Sequence, residues 1–134
     1  MNDPREILAR IRAQADAATP GPWMTYTVTP NMGSEILTAP GEGEAYGDYV
    51  VPEYIDMDNA EFIAAARTTV PALLDALEKV LELHQPVTDG MGFTEDGYGG
   101  ISPACSSCGT SDEYAVPYPC PTVTAITTAL EATK

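Results

Sequence analysis

The stretch from Gln85 to Ala104 constrains this chain more than any other. It spans 20 residues, holds five glycines and two prolines, and shows neither a strand nor a helix period of apolar residues. A connection of that length inside a compact domain is functional, disordered, or tied down by something nearby. Residues able to tie it down follow at once. Cys105-Ser106-Ser107-Cys108-Gly109 is a C-x-x-C-G knuckle, in which both sulfurs point to one side and the trailing glycine admits a positive φ. Cys120 comes eleven residues later, between Pro119 and Pro121, where a last helix begins. The dipole of that helix favours the thiolate form of Cys120. His84, the only histidine, precedes the loop at the C-terminal end of an apolar helical face.

Cys105, Cys108, Cys120 and His84 together make a Cys₃His set, which suits a structural Zn²⁺ ion. If His84 is not the fourth ligand, Asp112 or Glu113 can supply an oxygen. Two blander readings compete: small buried thiols, or a redox-active C-x-x-C. A thioredoxin-like motif expects a helix to start at the cysteines, whereas Pro103-Ala104 precede and Gly109 follows them here. A zinc deaminase needs H-x-E, but the corresponding stretch is His84-Gln85-Pro86, and a third sulfur closes the position an activated water would need. With its one histidine committed, the chain has no base left for a nucleophile triad. Gly97-Tyr98-Gly99-Gly100 lacks the lysine of a phosphate loop. The expectation is a protein that is not an enzyme.

The remaining pattern predicts a single α+β domain. A helix covers residues 1–18, capped by Asn2 or Asp3 and started by Pro4, with Ile7, Leu8, Ile11 and Ala15 as its apolar stripe. Thr19-Pro20-Gly21-Pro22 ends it. Residues 23–57 form a small antiparallel three-stranded β region. Met24, Tyr26 and Val28 alternate with threonines, Glu35–Thr38 return, and Tyr49–Ile55 form an edge strand because of Pro52. Residues 58–84 hold central helices. Asp58-Asn59-Ala60-Glu61 reads as a capping box before Phe62, Ile63 and Ala66 facing inward, and a second helix, capped by Thr68 or Thr69 with Pro71 in its first turn, carries Leu73, Leu74, Leu77, Val80, Leu81 and His84 on one face. Residues 85–120 are a loop with the zinc knuckle, and 121–133 a final helix with Val123, Ile126 and Leu130 inward.

Charge narrows the partners. Formal net charge is −14, from 20 acidic and six basic residues, and no Lys or Arg lies between Arg12 and Arg67 while nine acids do. Such a surface repels phosphate backbones, so direct nucleic-acid binding is not expected. Solubility is the plain reading of the charge, and mimicry of nucleic acid toward a host DNA-binding protein is the sharper one. No apolar run approaches the roughly 18 residues that span a bilayer, and Met1-Asn2-Asp3-Pro4 lacks the basic and apolar segments of a secretion signal. The expected compartment is the cytoplasm, and no membrane contact is expected.

Three stretches also occur together in a recognisable way: Ala18-Thr19-Pro20-Gly21-Pro22-Trp23, then Asp58 to Arg67 running into Val70-Pro71-Ala72-Leu73-Leu74, and Tyr118-Pro119-Cys120-Pro121-Thr122-Val123. The combination resembles short proteins encoded by actinobacteria and their bacteriophages and touches about half the chain. It implies a phage or prophage accessory protein working through contact with a host or phage protein, without fixing an oligomeric state, and it carries over no catalytic residue. Trp23 reads as a core anchor where the loop enters the first strand. A third reading is a small-molecule-binding or sequestering protein with residues 87–100 as a lid, which would show a pocket lined by Trp23 and Tyr26.

Overall fold

The structure, a computed structural model, describes residues 3–27, 29, 31–87, 103–110 and 114–133. In chain order the elements are α1 (Pro4–Ala17), β1 (Trp23–Tyr26), β2 (Ser34–Thr38), β3 (Tyr49–Ile55), α2 (Met57–Leu83), β4 (Pro86–Val87), β5 (Ala104–Thr110), β6 (Tyr114–Pro117) and α3 (Pro121–Glu131). The α+β class holds, with an N-terminal helix, a three-stranded antiparallel sheet, a central helix and a C-terminal helix. Contacts group these elements into two compact units, one of Ile11–Leu74 and one of Met1–Arg10 with Asp75–Lys134.

The unit of Ile11–Leu74 is a sheet of order β1-β2-β3 packed on the first half of α2. Ile36 on the central strand is fully buried with Ala60 and Ala64, and Trp23, Val50, Val51, Ile55 and Ile63 pack against them. Alanines four residues apart let the helix backbone approach the sheet closely. That geometry corrects the expectation for Phe62, which is 76% exposed. The line along the sheet belongs to the small residues at 60 and 64, and a phenylalanine would not fit there. Pro52 lies on β3, an edge strand, where its missing N–H costs no ladder bond. Gly33 turns the chain into β2 at φ 83°, and a Cβ there would collide with the Ile55 carbonyl.

Two of the three recognisable stretches meet in this unit. The indole N–H of Trp23 donates to the Thr19 carbonyl at 3.0 Å, and Arg67 Nε donates to the same oxygen at 2.9 Å. The Arg67 guanidinium stands 5.9 Å from the centre of the indole ring. Trp23 is therefore an anchor held from both sides, by the core beneath and by a cation above.

Both predicted caps can be checked. Asp3 caps α1, accepting the Arg5 N–H at 2.9 Å, while Asn2 lies outside the described residues. For α2 the cap is Asp56, two residues before the expected Asp58. Its Oδ1 accepts the N–H groups of Asp58 at 3.0 Å and Asn59 at 3.4 Å, and its carbonyl accepts Ala60 N–H. The expected break at Pro71 is also absent: α2 is one helix of 27 residues, about 40 Å long. An internal proline costs about 3 kcal/mol. Buried residues on both sides of it, Ala60 and Ala64 before and Leu74 and Leu81 after, favour one helical phase throughout.

The second unit contains what the sequence presents as loop. Within 85–120, β4, β5 and β6 form a second antiparallel sheet, Pro86 opposite Cys105 and Thr110 opposite Tyr114. The expected 85–120 loop is corrected at these strands, and 88–102 lies outside the described residues. Ser, Cys and Gly dominate β5, so no apolar alternation advertises it. Ile7, Leu8, Leu81, Ala104, Cys105, Ala115, Cys120, Val123, Thr127 and Leu130 are buried in this unit.

The cap assignment on α2 is open to measurement. Asp56→Ala is expected to lower stability by about 1 kcal/mol, and Asp58→Ala by less than half of that. Urea unfolding of the two variants reads the difference, and the reverse order would restore Asp58 as the cap.

Candidate metal centre

His84 follows the last residue of α2, and its placement depends on how that helix ends. The final carbonyls of a helix have no intrahelical donor. Arg5, reaching from α1, supplies one: Nη2 donates to the carbonyls of Leu81 at 2.8 Å and His84 at 3.3 Å, while Nη1 donates to the Tyr118 hydroxyl at 2.9 Å. One guanidinium thus joins α1, the end of α2 and the segment leading to Cys120. The two serines of the knuckle complete the closure. Ser106 Oγ donates to the Leu83 carbonyl at 2.9 Å and accepts the Gln85 N–H at 2.9 Å, and the Ser107 hydroxyl donates to the same Leu83 carbonyl.

The result is one compact cluster. Nδ1 of His84 lies 3.3 Å from Sγ of Cys105 and 3.5 Å from each of Cys108 and Cys120. All four donor atoms fall within 4.8 Å of one another. A tetrahedral zinc-like centre, with metal–sulfur bonds near 2.3 Å and metal–nitrogen bonds near 2.0 Å, places nitrogen and sulfur about 3.5 Å apart. Hydrogen bonding alone is a poorer account. One ring N–H can serve one sulfur well, whereas three sulfurs surround this nitrogen at nearly equal range.

Each ligand position has a local cause. Cys105 pairs with Pro86 across β4 and β5, and the register of β5 on β6 shifts between Ala104 and Gly109, the bulge that turns Cys108 toward Cys105. Gly109 has φ 94°, the left-handed conformation expected after the knuckle. Cys120 is the N-cap of α3 with Pro121 next. Cys105 and Cys120 are buried, Cys108 and His84 half-buried.

The sulfurs are electrostatically unequal. Burial, then the hydrogen bonds that the Cys108 thiol donates to Cys120 and Cys105 and the charge on those neighbours, pushes the Cys108 thiol up to about 12. Burial opposes ionisation of Cys120 too. There, the backbone amides of Val123 and Thr122 and the thiols of Cys105 and Cys108 outweigh it and hold the pKa below its ordinary value. Without a cation, ionisation is eased at Cys120 and resisted at Cys108. A divalent cation reverses that resistance.

The cysteines and histidine anticipated from spacing are therefore together, while Asp112 and Glu113 lie outside the described residues. Arg5, Ser106 and Ser107 were not anticipated. Their signal is the set of orphan carbonyls at the end of a helix whose last turn contains no basic residue. Four donors fill a tetrahedron and leave no place for an activated water, the pattern of a structural site. In the other unit, a cleft of about 500 Å³ is lined by Asn31, Met32, Tyr54 and Asp56 among others, and Trp23 and Tyr26 take no part in it.

A family model described as Ead/Ea22-like protein matches residues 6–88, which include His84 and end before the three cysteines. No curated protein and no solved structure matches the chain.

The raised Cys108 pKa has a definite sign. The fold favours its neutral thiol, so that contribution is complete below 9.0 and is lost as pH rises toward about 12. The lowered Cys120 pKa acts oppositely, contributing above 9.0 and fading as pH falls. Chelator-treated protein is expected to melt at lower temperature near pH 10.5 than near pH 8, by a margin that Cys108→Ala narrows. An equal margin in Cys108→Ala would detach the effect from this thiol.

Proposed function

The chain belongs to the Ead/Ea22-like family, and on that premise we propose a small phage accessory protein, stapled by zinc and acting by contact with a host or phage protein rather than by catalysis. The observation that carries this reading is the filled donor set. Three sulfurs and one nitrogen at tetrahedral spacing supply the whole coordination shell of Zn²⁺, which leaves the metal a structural part. In this role Cys105, Cys108, Cys120 and His84 are the ligands. The bound ion holds β5, the start of α3 and the end of α2 in one arrangement.

The contact half of the reading is supported on the surface of the other unit. Phe62 and Leu73 lie eleven residues apart on α2, close to one line along the helix, and are 76% and 58% exposed. Large apolar side chains left in water on one helical line suit association better than chemistry. The charge of −14 favours a basic partner surface over nucleic acid. Among the described residues no helix is long and apolar enough to cross a membrane.

Native mass spectrometry of the wild type and of Cys120→Ser tests the proposal. One zinc per wild-type chain is expected, with loss from the variant and a fall in melting temperature of about 10 °C or more when a chelator removes the metal. A wild type that folds without stoichiometric metal sinks the zinc assignment.

A further inference from the structure

The sheet of order β1-β2-β3 has a second face, turned away from Ile36 and the alanines of α2. Its register places Met24 opposite Leu37, Tyr26 opposite Glu35, and Leu37 opposite Tyr49. Side chains alternate along β1 and β2, so Tyr26 and Glu35 share this face with Leu37, and the register shift between Ile36 and Leu37 sets Tyr49 opposite Leu37 on it as well. Tyr46, from the loop before β3, closes on Tyr26 with ring centres 5.3 Å apart and planes at 81°. Two phenol rings thus form a right-angled corner, with a third ring and a carboxylate beside it. Tyr46 and Tyr49 are each 61% exposed, and the loop that carries Tyr46 also exposes Glu42, Glu44 and Asp48. The Tyr26 phenol is held above its ordinary pKa, first by hydrogen bonding with and the charge of Tyr46, then by burial, then by the charges of Tyr49 and Glu35. All four groups therefore lie within electrostatic reach of one another.

We propose that Tyr26, Tyr46, Tyr49 and Glu35 form a receptor for a cationic side chain, lysine ammonium or arginine guanidinium, presented by a basic protein. Ring faces attract a cation within about 6 Å of their centres, and a neighbouring carboxylate adds a charge-assisted bond. No lysine or arginine lies between Arg12 and Arg67, and Arg67 is engaged with Trp23 and Thr19, so β1, β2, β3 and the loops that join them carry no cation of their own. The corner is open and edged by further acids. That suits a side chain carried on a larger basic surface, whereas a free small cation calls for an enclosed box. This deepens the partner-contact half of the proposed function and is independent of the metal.

The test titrates the full, metal-loaded chain with a tetra-arginine peptide and follows the tyrosine ring resonances by NMR. Saturable shifts of Tyr26, Tyr46 and Tyr49 are expected, and a tetra-citrulline peptide should give none. Tyr46→Ala and Tyr49→Ala should each weaken binding about 2–5-fold. Tyr46→Phe should bind as wild type, because the ring face survives. Both positions are exposed, so the variants fold, and the methyl resonances of the buried Ile36 report it. Binding unchanged in the double alanine variant, or tetramethylammonium bound more tightly than the peptide, overturns the proposal. With metal content intact, such a failure removes the receptor alone and leaves the zinc assignment standing.

Discussion

Everything in the unit of Met1–Arg10 and Asp75–Lys134 is arranged about one ring nitrogen. Nδ1 of His84 has three sulfurs at 3.3–3.5 Å, drawn from a bulged strand and from the N-cap of a helix. Short strands poor in large apolar residues supply little core, and a unit of that kind needs a staple. Beside its two neighbouring thiols, Cys108 resists ionising. A bound divalent cation supplies the positive charge that lets these thiols ionise together.

That hold depends on side chains that never touch the donors' common centre. Arg5 gathers the carbonyls of Leu81 and His84 with the hydroxyl of Tyr118, and so fixes both approaches to the cluster. Ser106 and Ser107 bind the Leu83 carbonyl and pin the knuckle against the end of α2. A helix that ends without a basic residue of its own borrows one from α1. The other unit follows a different economy, in which small alanines bring helix and sheet together and the Thr19 carbonyl joins Trp23 to Arg67.

Where local chemistry decides an outcome, the sequence was legible. Pro4 starts α1, Pro52 marks an edge strand, Gly109 takes a positive φ, and Cys120 opens α3. The donor set was readable for the same reason, since soft ligands near one loop are few. Where packing decides, it was not. Phe62 carries the largest apolar side chain in its stretch, yet the close approach at Ala60 and Ala64 excludes it. Pro71 should break a helix, but apolar contacts on either side keep α2 whole. Asp58 and Glu61 have the form of a capping box, yet the amides of Asp58 and Asn59 turn to the Asp56 carboxylate. The strand β5 has no pattern to see, because its pairing rests on backbone groups and its side chains serve the cluster.

The make-up of the donor set has an electrical consequence for the molecule at large. A dication held by three thiolates and a neutral imidazole displaces three protons while adding two positive charges. The loaded chain is then one unit more negative than the −14 formal charge of its reduced, metal-free form. Uptake of a cation thus makes this protein a stronger anion, and migration in a native gel should shift toward the anode on loading.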